Sequence, residues 1–438
     1  MYRSLVDFDD RRQPVPELAQ WQRLSPTHYR FHLKPGRAAF HHGEPVQARD
    51  VVATYRAVLD PATGSPHRSV LDLIESISAP DADTVDFRLE RPDRLFPGYL
   101  VIGVVPAALL AQGHDFQRDP VGSGPLRLLE RLGDGVRLQR RADGQRLSVQ
   151  QVKDPTVRVL KLQRGELDII QNDLPAELIR YLEQQAGIRI ARHRGANFSY
   201  IGFNLNDPAT GDPRLRRAIA HALDRRAIIE HLLAGAARPA GALLPPNHWA
   251  GHPDLTGIPH DPQAARRLLA QLGYGPDRPL ELTYKTSSDP QRLRIATVFQ
   301  DQLARVGIRL RLQSYDWGTF YGDIKAGRFQ LYSLIWVGIK TPDIFHYVFH
   351  SDSIPPGGAN RGRYRDTRTD AWLEAAAAAQ TQAAQVAYYH RIQARLLEAL
   401  PYVPLWYEDH VYAAREDVRG YRLNLHGNYD GLLEVRRR

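Results

Sequence analysis

Residues 280 to 315 carry the pattern that most restricts the fold. Leu280, Leu282 and Tyr284 alternate with polar residues as a strand does. Asp289-Pro290 then opens a helix carrying Ile295, Val298, Phe299 and Leu303, and Ile308, Leu310 and Leu312 alternate again. Strand, helix and strand in that order make a βαβ unit, which implies parallel strands and a right-handed crossover, so the chain is expected to be α/β. The Asp-Pro device recurs. Asp212-Pro213 precedes a face of Leu215, Ile219 and Leu223, and Asp261-Pro262 precedes Ala264, Ala265, Leu268, Leu269 and Leu272, with Gly273 as the stop.

Elsewhere the pattern is mixed. Tyr29 to Leu33 alternates as a half-buried strand before the turn Lys34-Pro35-Gly36. Asp50 precedes a helical stripe of Val51, Val52, Tyr55, Val58 and Leu59 that Asp60-Pro61 ends. Asp81-Ala82-Asp83 before Val85, Phe87 and Leu89 predicts a hairpin, as does Gly133-Asp134-Gly135 between Leu126–Leu129 and Val136–Arg140. Val157 to Leu162 and Gly165 to Ile170 read as short strands and turns around a helical segment. Asp207-Pro208 reads as a junction, because proline fixes its own φ and restricts the residue before it. Two helices are expected near 368–379 and 383–399, ahead of the apolar extended segment Pro401 to Trp406.

A length of 438 residues exceeds what one hydrophobic core usually serves, so two or three lobes are expected. Hydrophobic content of 43% with 24% charged residues is that of an ordinary globular protein. With no cysteine, disulfides, thiolate metal sites and a cysteine nucleophile are excluded together. No apolar run reaches the ~20 residues that span a bilayer. Met1 to Asp7 also lacks the basic region, apolar region and small-residue cleavage site of a signal peptide, so either the protein is cytosolic or its true start lies upstream. The net charge of +9 comes from arginines spread through every segment among Asp and Glu, apart from the tail Arg436-Arg437-Arg438. That distribution fits a solvated surface and not a nucleic-acid footprint.

Catalytic fingerprints are missing: there is no G-x-S-x-G elbow, G-x-G-x-x-G, P-loop or H-E-x-x-H. Gly122-Ser123-Gly124 reads as a tight turn, with a serine nucleophile as the other reading. His41-His42 and the pair His346 and His350 lack further ligands at a metal spacing. No enzyme, metal site or cofactor is therefore expected. Residues 315 to 364 concentrate aromatics, among them Trp317, Tyr321, Tyr332 and Trp336, around a few polar groups including Asp343 and Asn360. Such a mixture lines ligand clefts, although aromatics are also ordinary core material.

An ordered series of short motifs then resembles one family almost end to end. It runs through Tyr29-Arg30-Phe31-His32-Leu33-Lys34-Pro35-Gly36, Phe40-His41-His42-Gly43-Glu44-Pro45, Pro120-Val121-Gly122-Ser123-Gly124-Pro125 and Gly165-Glu166-Leu167-Asp168. It continues with Phe203-Asn204-Leu205, Asp212-Pro213-Arg214-Leu215-Arg216-Arg217-Ala218 and Ala222-Leu223-Asp224-Arg225. The series is similar to the peptide and nickel (family 5) extracellular solute-binding proteins of ABC importers, which include the oligopeptide- and dipeptide-binding proteins.

The resemblance implies a class II periplasmic-binding-protein fold of two α/β lobes joined by crossing hinge strands, with an extra small subdomain. Residues 4–121 would be the small subdomain of lobe 1, 122–206 plus 408–438 the lobe 1 core with its first strand lying upstream of Met1, and 207–407 lobe 2. It implies a monomer, periplasmic or at the cell surface, that captures a short peptide and delivers it to membrane permease subunits, without nucleic acid. A non-peptide solute of the nickel-chelate, sugar or opine kind, a regulator's sensing domain and an enzyme are the other readings.

Tyr200 and Asn204 would line the cleft from lobe 1, and Trp336 would begin the cleft-lining loop of lobe 2. Trp317 joins the list from the aromatic concentration. Asn360 and Arg361, in the loop Pro355 to Gly362, would meet a ligand carbonyl or carboxylate. Peptide-binding relatives carry an acid shortly after that tryptophan to pair with the ligand's amine. Here Ile339 and Lys340 stand near that place, and Asp343 is the nearby acid.

Overall fold

The computed structural model describes residues 1–36, 39–65, 67–424 and 427–437. Contacts divide the chain into two units: Met1–Lys153 with Ala377–Gln380 and Leu432–Val435, and Asp154–Ala376 with Thr381–Gly431 and Arg436–Arg438.

In the first unit β1 (Val6–Phe8) pairs with β2 (Pro14–Pro16). Strands β3 (Ala19–Ser25), β4 (His28–Leu33), β5 (Ile74–Ser78) and β6 (Thr84–Leu89) form an antiparallel sheet in the order β3-β4-β6-β5. The alternation along β4 buries Tyr29, Phe31 and Leu33, as a one-sided strand requires. Phe31 meets Phe87 of β6 edge to face at 5.5 Å, and Tyr55 of helix Ala48–Leu59 meets Phe87 in the same way at 5.6 Å. Aromatic rings therefore join this helix to the sheet.

The helix starts earlier than the sequence suggests. Gln47 is its N-cap, and Asp50 lies inside the first turn, where its carboxylate accepts the Gln47 N–H at 2.8 Å and the Ala107 N–H at 2.8 Å. Strands β7 (Leu126–Leu132), β8 (Gly135–Arg140) and β9 (Arg146–Gln150) form an antiparallel meander. Two motifs brace one another in this unit: the His41 ring lies 3.2 Å from the Gly124 carbonyl, and the Gly122 N–H points at its Nδ1. Ser123 between those glycines is only 1% exposed. Both are turn-forming structure.

The second unit is built on one seven-stranded sheet. Its strands are β10 (Ile169–Gln171), β11 (Ile188–Phe203), β12 (Ala237–Pro239), β13 (Leu280–Ser287), β14 (Ile308–Tyr315), β15 (Leu331–Trp336) and β16 (Tyr402–Arg415). Their order is β10-β16-β11-β15-β13-β14, with β12 also on β16. A small ribbon, β17 (Val418–Arg419) with β18 (Arg436–Arg437), lies apart from it. The predicted βαβ unit is present: β13 and β14 pair in parallel from Leu280 opposite Ile308 to Ser287 opposite Tyr315. Helix Pro290–Ala304 joins them and buries Ile295, Ala296, Phe299 and Leu303.

The cap of that helix is the Asp289 carboxylate, which accepts the Arg292 N–H at 2.9 Å. Asp289→Ala is expected to lower the stability of this unit by about 1 kcal/mol in urea unfolding, the usual cost of losing an N-cap.

Residues 157–162, which read as a strand, are helical. Asp154 caps helix Pro155–Gln163 by accepting the Val157 N–H, and Pro155 takes the first helical position. A good cap and the burial of Val159 and Leu162 override the β preference of the valines.

Strands β11 and β16 run antiparallel from Ile188 opposite Arg415 to Gly202 opposite Tyr402, and their register shifts between His193 and Asn197 and again between Ser199 and Tyr200. On the His193 side of the first shift β16 also pairs with β10, and between the two shifts it pairs with β12. Two long strands thus thread the whole unit.

Some of the arginine excess lies inside. Arg216 donates to the carbonyls of Thr210, Gly211 and Ala399, and Arg225 to those of Ala240, Ile258 and Pro404. Burial brings Arg216 down to about 10, so it remains charged at neutral pH.

Candidate functional site

In the middle of the second unit's sheet, the neighbouring strands β16, β11 and β15 place aromatic side chains side by side. Phe198 lies opposite Trp336, Tyr200 opposite Leu334, and Gly202 opposite both Tyr332 and Tyr402. Gly202 is needed for this packing: a Cβ there would lie 2.4 Å from the Tyr332 ring. Tyr200 stacks on Tyr402 at 3.9 Å, meets Tyr332 edge to face at 5.9 Å, and lies parallel to Trp336 at 6.4 Å.

Arg361 reaches this group from the loop after residue 354. Its guanidinium carbon sits 4.8 Å from the Trp336 ring centre and 5.2 Å from that of Tyr321. It donates to the Tyr321 hydroxyl at 3.0 Å and to the Tyr200 hydroxyl at 3.4 Å.

The electrostatics of Arg361 set it apart. It is 6% exposed, yet no carboxylate pairs with it among the described residues. Burial pushes the Tyr200 phenol up and those of Tyr332 and Tyr402 well above the ordinary range, so all three are neutral at pH 7 and supply no counter-charge. Burial works to lower the Arg361 guanidinium, yet it remains above the ordinary arginine range and is protonated at neutral pH. Arg216 and Arg225 spend their N–H groups on main-chain carbonyls. Arg361 spends two on phenols and keeps a buried positive charge.

The expected site residues divide into two groups. Tyr200, Trp336 and Arg361 are in mutual contact, and Trp317, 59% exposed, is one ring away, stacked on Tyr321 at 5.4 Å. Asn204 is a brace: its amide donates to the carbonyls of Gly327 and Phe329, and its oxygen accepts the Asn206 N–H. Asn360 is another, donating to the carbonyls of His350 and Tyr364 and accepting the Tyr364 N–H. It therefore fixes the loop that presents Arg361. Asp343 begins helix Ile344–Phe349 and accepts the Thr341 hydroxyl. Tyr402 was legible only as part of an extended apolar segment, and Tyr321 and Tyr332 only as members of the aromatic concentration.

Residues 13–354 match the bacterial extracellular solute-binding proteins, family 5. The chain belongs to that family. Among curated relatives, this solute-binding protein is 28% identical over 464 residues to di/tripeptide-binding protein 2 of Pseudomonas aeruginosa, covering 97% of the chain and 87% of the relative. It is 29% identical over 478 residues to the peptide transport periplasmic protein SapA of Salmonella typhimurium, covering 98% and 85%.

Its fold is shared with NikZ of Campylobacter jejuni, solved with Ni(L-His), at a TM-score of 0.85 and 23% identity over 99% of this chain and 93% of the other. It is shared equally with the oligopeptide-binding protein AppA of Bacillus subtilis, solved with a nonapeptide, at a TM-score of 0.85 and 23% identity over 100% and 93%. The solute-binding protein thus has the α/β fold of the periplasmic binding proteins of this family. Among the described residues no helix is long and apolar enough to cross a membrane.

Proposed function

We propose that this solute-binding protein captures short peptides at the Tyr200, Trp336 and Arg361 site and delivers them, outside the cytoplasmic membrane, to the permease of an ABC importer. The observation that carries the assignment of the site is the buried Arg361 charge, held between two aromatic faces with no carboxylate among the described residues to neutralise it. A charge left so is costly unless a ligand completes it. The names of the curated relatives support peptides as the ligand class. On this reading residues 207–407 are the lobe that presents Trp336 and Arg361, and β11 with β16 is the hinge about which it closes. Closure then follows from ligand contacts that only the closed state makes.

Calorimetry with di-, tri- and tetrapeptides tests the reading. Trp336→Ala is expected to weaken binding about 10- to 30-fold, the loss of one cation–π and stacking partner, with the unfolding midpoint held within a few degrees. Wild-type affinity in that variant would remove the site assignment.

A further inference from the structure

The hydrogen-bonding inventory of the site is one-sided. Arginine and the tryptophan indole are donors only. Arg361 uses two of its N–H groups on phenolic oxygens, and Trp336 Nε1 is buried with no hydrogen-bond partner among the described residues. A second cation leans on the same wall: Lys325 Nζ lies 5.2 Å from the centre of the Tyr321 ring, whose electrons Arg361 also contacts.

The acids of the neighbouring elements are engaged elsewhere. Asp323 holds Lys285 and Arg328, Asp366 holds Arg395, and Glu408 takes Ser199, Trp406 and Arg292. Asp316 caps the helix that starts at Trp317, and Asp343 takes the Thr341 hydroxyl. Directly after Trp336 come Val337, Gly338, Ile339 and Lys340, with no acid among them.

Resting on the peptide reading, we infer that this site is selective for a carboxylate and against a free α-ammonium group, so that the preferred ligands are acids whose amine is acylated or absent. A carboxylate brings two acceptor oxygens to unpaired donors and neutralises one buried charge. A planar guanidinium clamped between two rings suits that planar monoanion. An ammonium placed beside Arg361 and Lys325 finds like charge and no acceptor carboxylate among the described residues. Free amines are therefore left outside the site, in water.

Calorimetry with the full chain and four forms of trialanine, free, N-acetylated, C-amidated and doubly blocked, decides it. N-Acetylation is expected to tighten binding at least threefold, and amidation to weaken it at least thirtyfold whether or not the amine is blocked. A free peptide that binds tenfold more tightly than its acetylated form, or an amide that binds as well as the acid, overturns the inference. If none of the four binds, it is the peptide reading that fails, and glutarate against glutaramide then decides the inference. Binding of glutarate alone supports it, and binding of neither or of both overturns it.

Discussion

Arg361→Met is expected to weaken ligand binding about 100-fold while leaving the ligand-free protein as stable as the wild type or more so. The two effects have opposite signs for one reason. In the free protein Arg361 is 6% exposed and has no anionic partner among the described residues, so burying its charge is unfavourable, offset only in part by two phenolic hydrogen bonds and two aromatic faces. Methionine fills a similar volume without the charge, and removing a buried ion in favour of an apolar group is often neutral or stabilising. In the complex the same charge is completed by the ligand, and a charge-assisted contact of about 2.7 kcal/mol corresponds to the 100-fold loss.

Calorimetry gives the first quantity and thermal unfolding without ligand the second. A variant that binds normally but unfolds several degrees lower would make Arg361 a structural brace like Arg216, and the site assignment would fall. Arg361→Lys keeps the charge but not the planar fork, and is expected to fall between wild type and methionine in affinity.

How far the sequence discloses such a site depends on how local the information is. The βαβ unit was legible because every marker, from the alternation of Leu280, Leu282 and Tyr284 to the Asp289-Pro290 cap, lies within one short window. At 157–162 the strand expectation fails because the equally local Asp154-Pro155 cap outweighs the β preference of the valines in helix Pro155–Gln163. The site itself joins residues from three strands and a distant loop. Arg361 is near Tyr200 only because Asn360 ties its loop to His350 and Tyr364 and because the Leu205 N–H takes the Gly362 carbonyl. The family resemblance put Asn204 on the cleft wall, and the loop Pro355 to Gly362 offered Asn360 to a ligand. Their amides are instead spent on backbone carbonyls, a fact set by tertiary packing and invisible in a string of letters. The absence of an acid after Trp336, by contrast, could be read directly from the sequence, and the structure gives it meaning by leaving Arg361 uncompensated.

Trp406→Ala is expected to cost the second unit about 3–5 kcal/mol, the usual range for truncating a buried tryptophan. The side chain is 1% exposed, on the strand that pairs with both β11 and β12, with Ser199 and Pro239 as its neighbours across the ladder. It belongs to the core that includes Ile201, Val403 and Leu405. Its indole N–H also donates to Glu408, which in turn accepts the Ser199 hydroxyl and Arg292. Urea unfolding is expected to show a lower midpoint with an unchanged slope for this unit, since the surface exposed on unfolding stays nearly the same. The first unit, whose core is the Phe31, Tyr55 and Phe87 cluster, is expected to keep its own midpoint. A loss below about 1 kcal/mol would mean that the core closes over the vacancy, and would refute the role assigned to Trp406.

Ligand separates this variant from the previous one. A ligand held at 100 times its Kd stabilises the folded unit by about 2.7 kcal/mol. Trp406→Ala keeps the site, so ligand is expected to restore more than half of its loss. At the same ligand concentration Arg361→Met gains less than about 0.5 kcal/mol, because a 100-fold weaker Kd brings that concentration down to about one Kd.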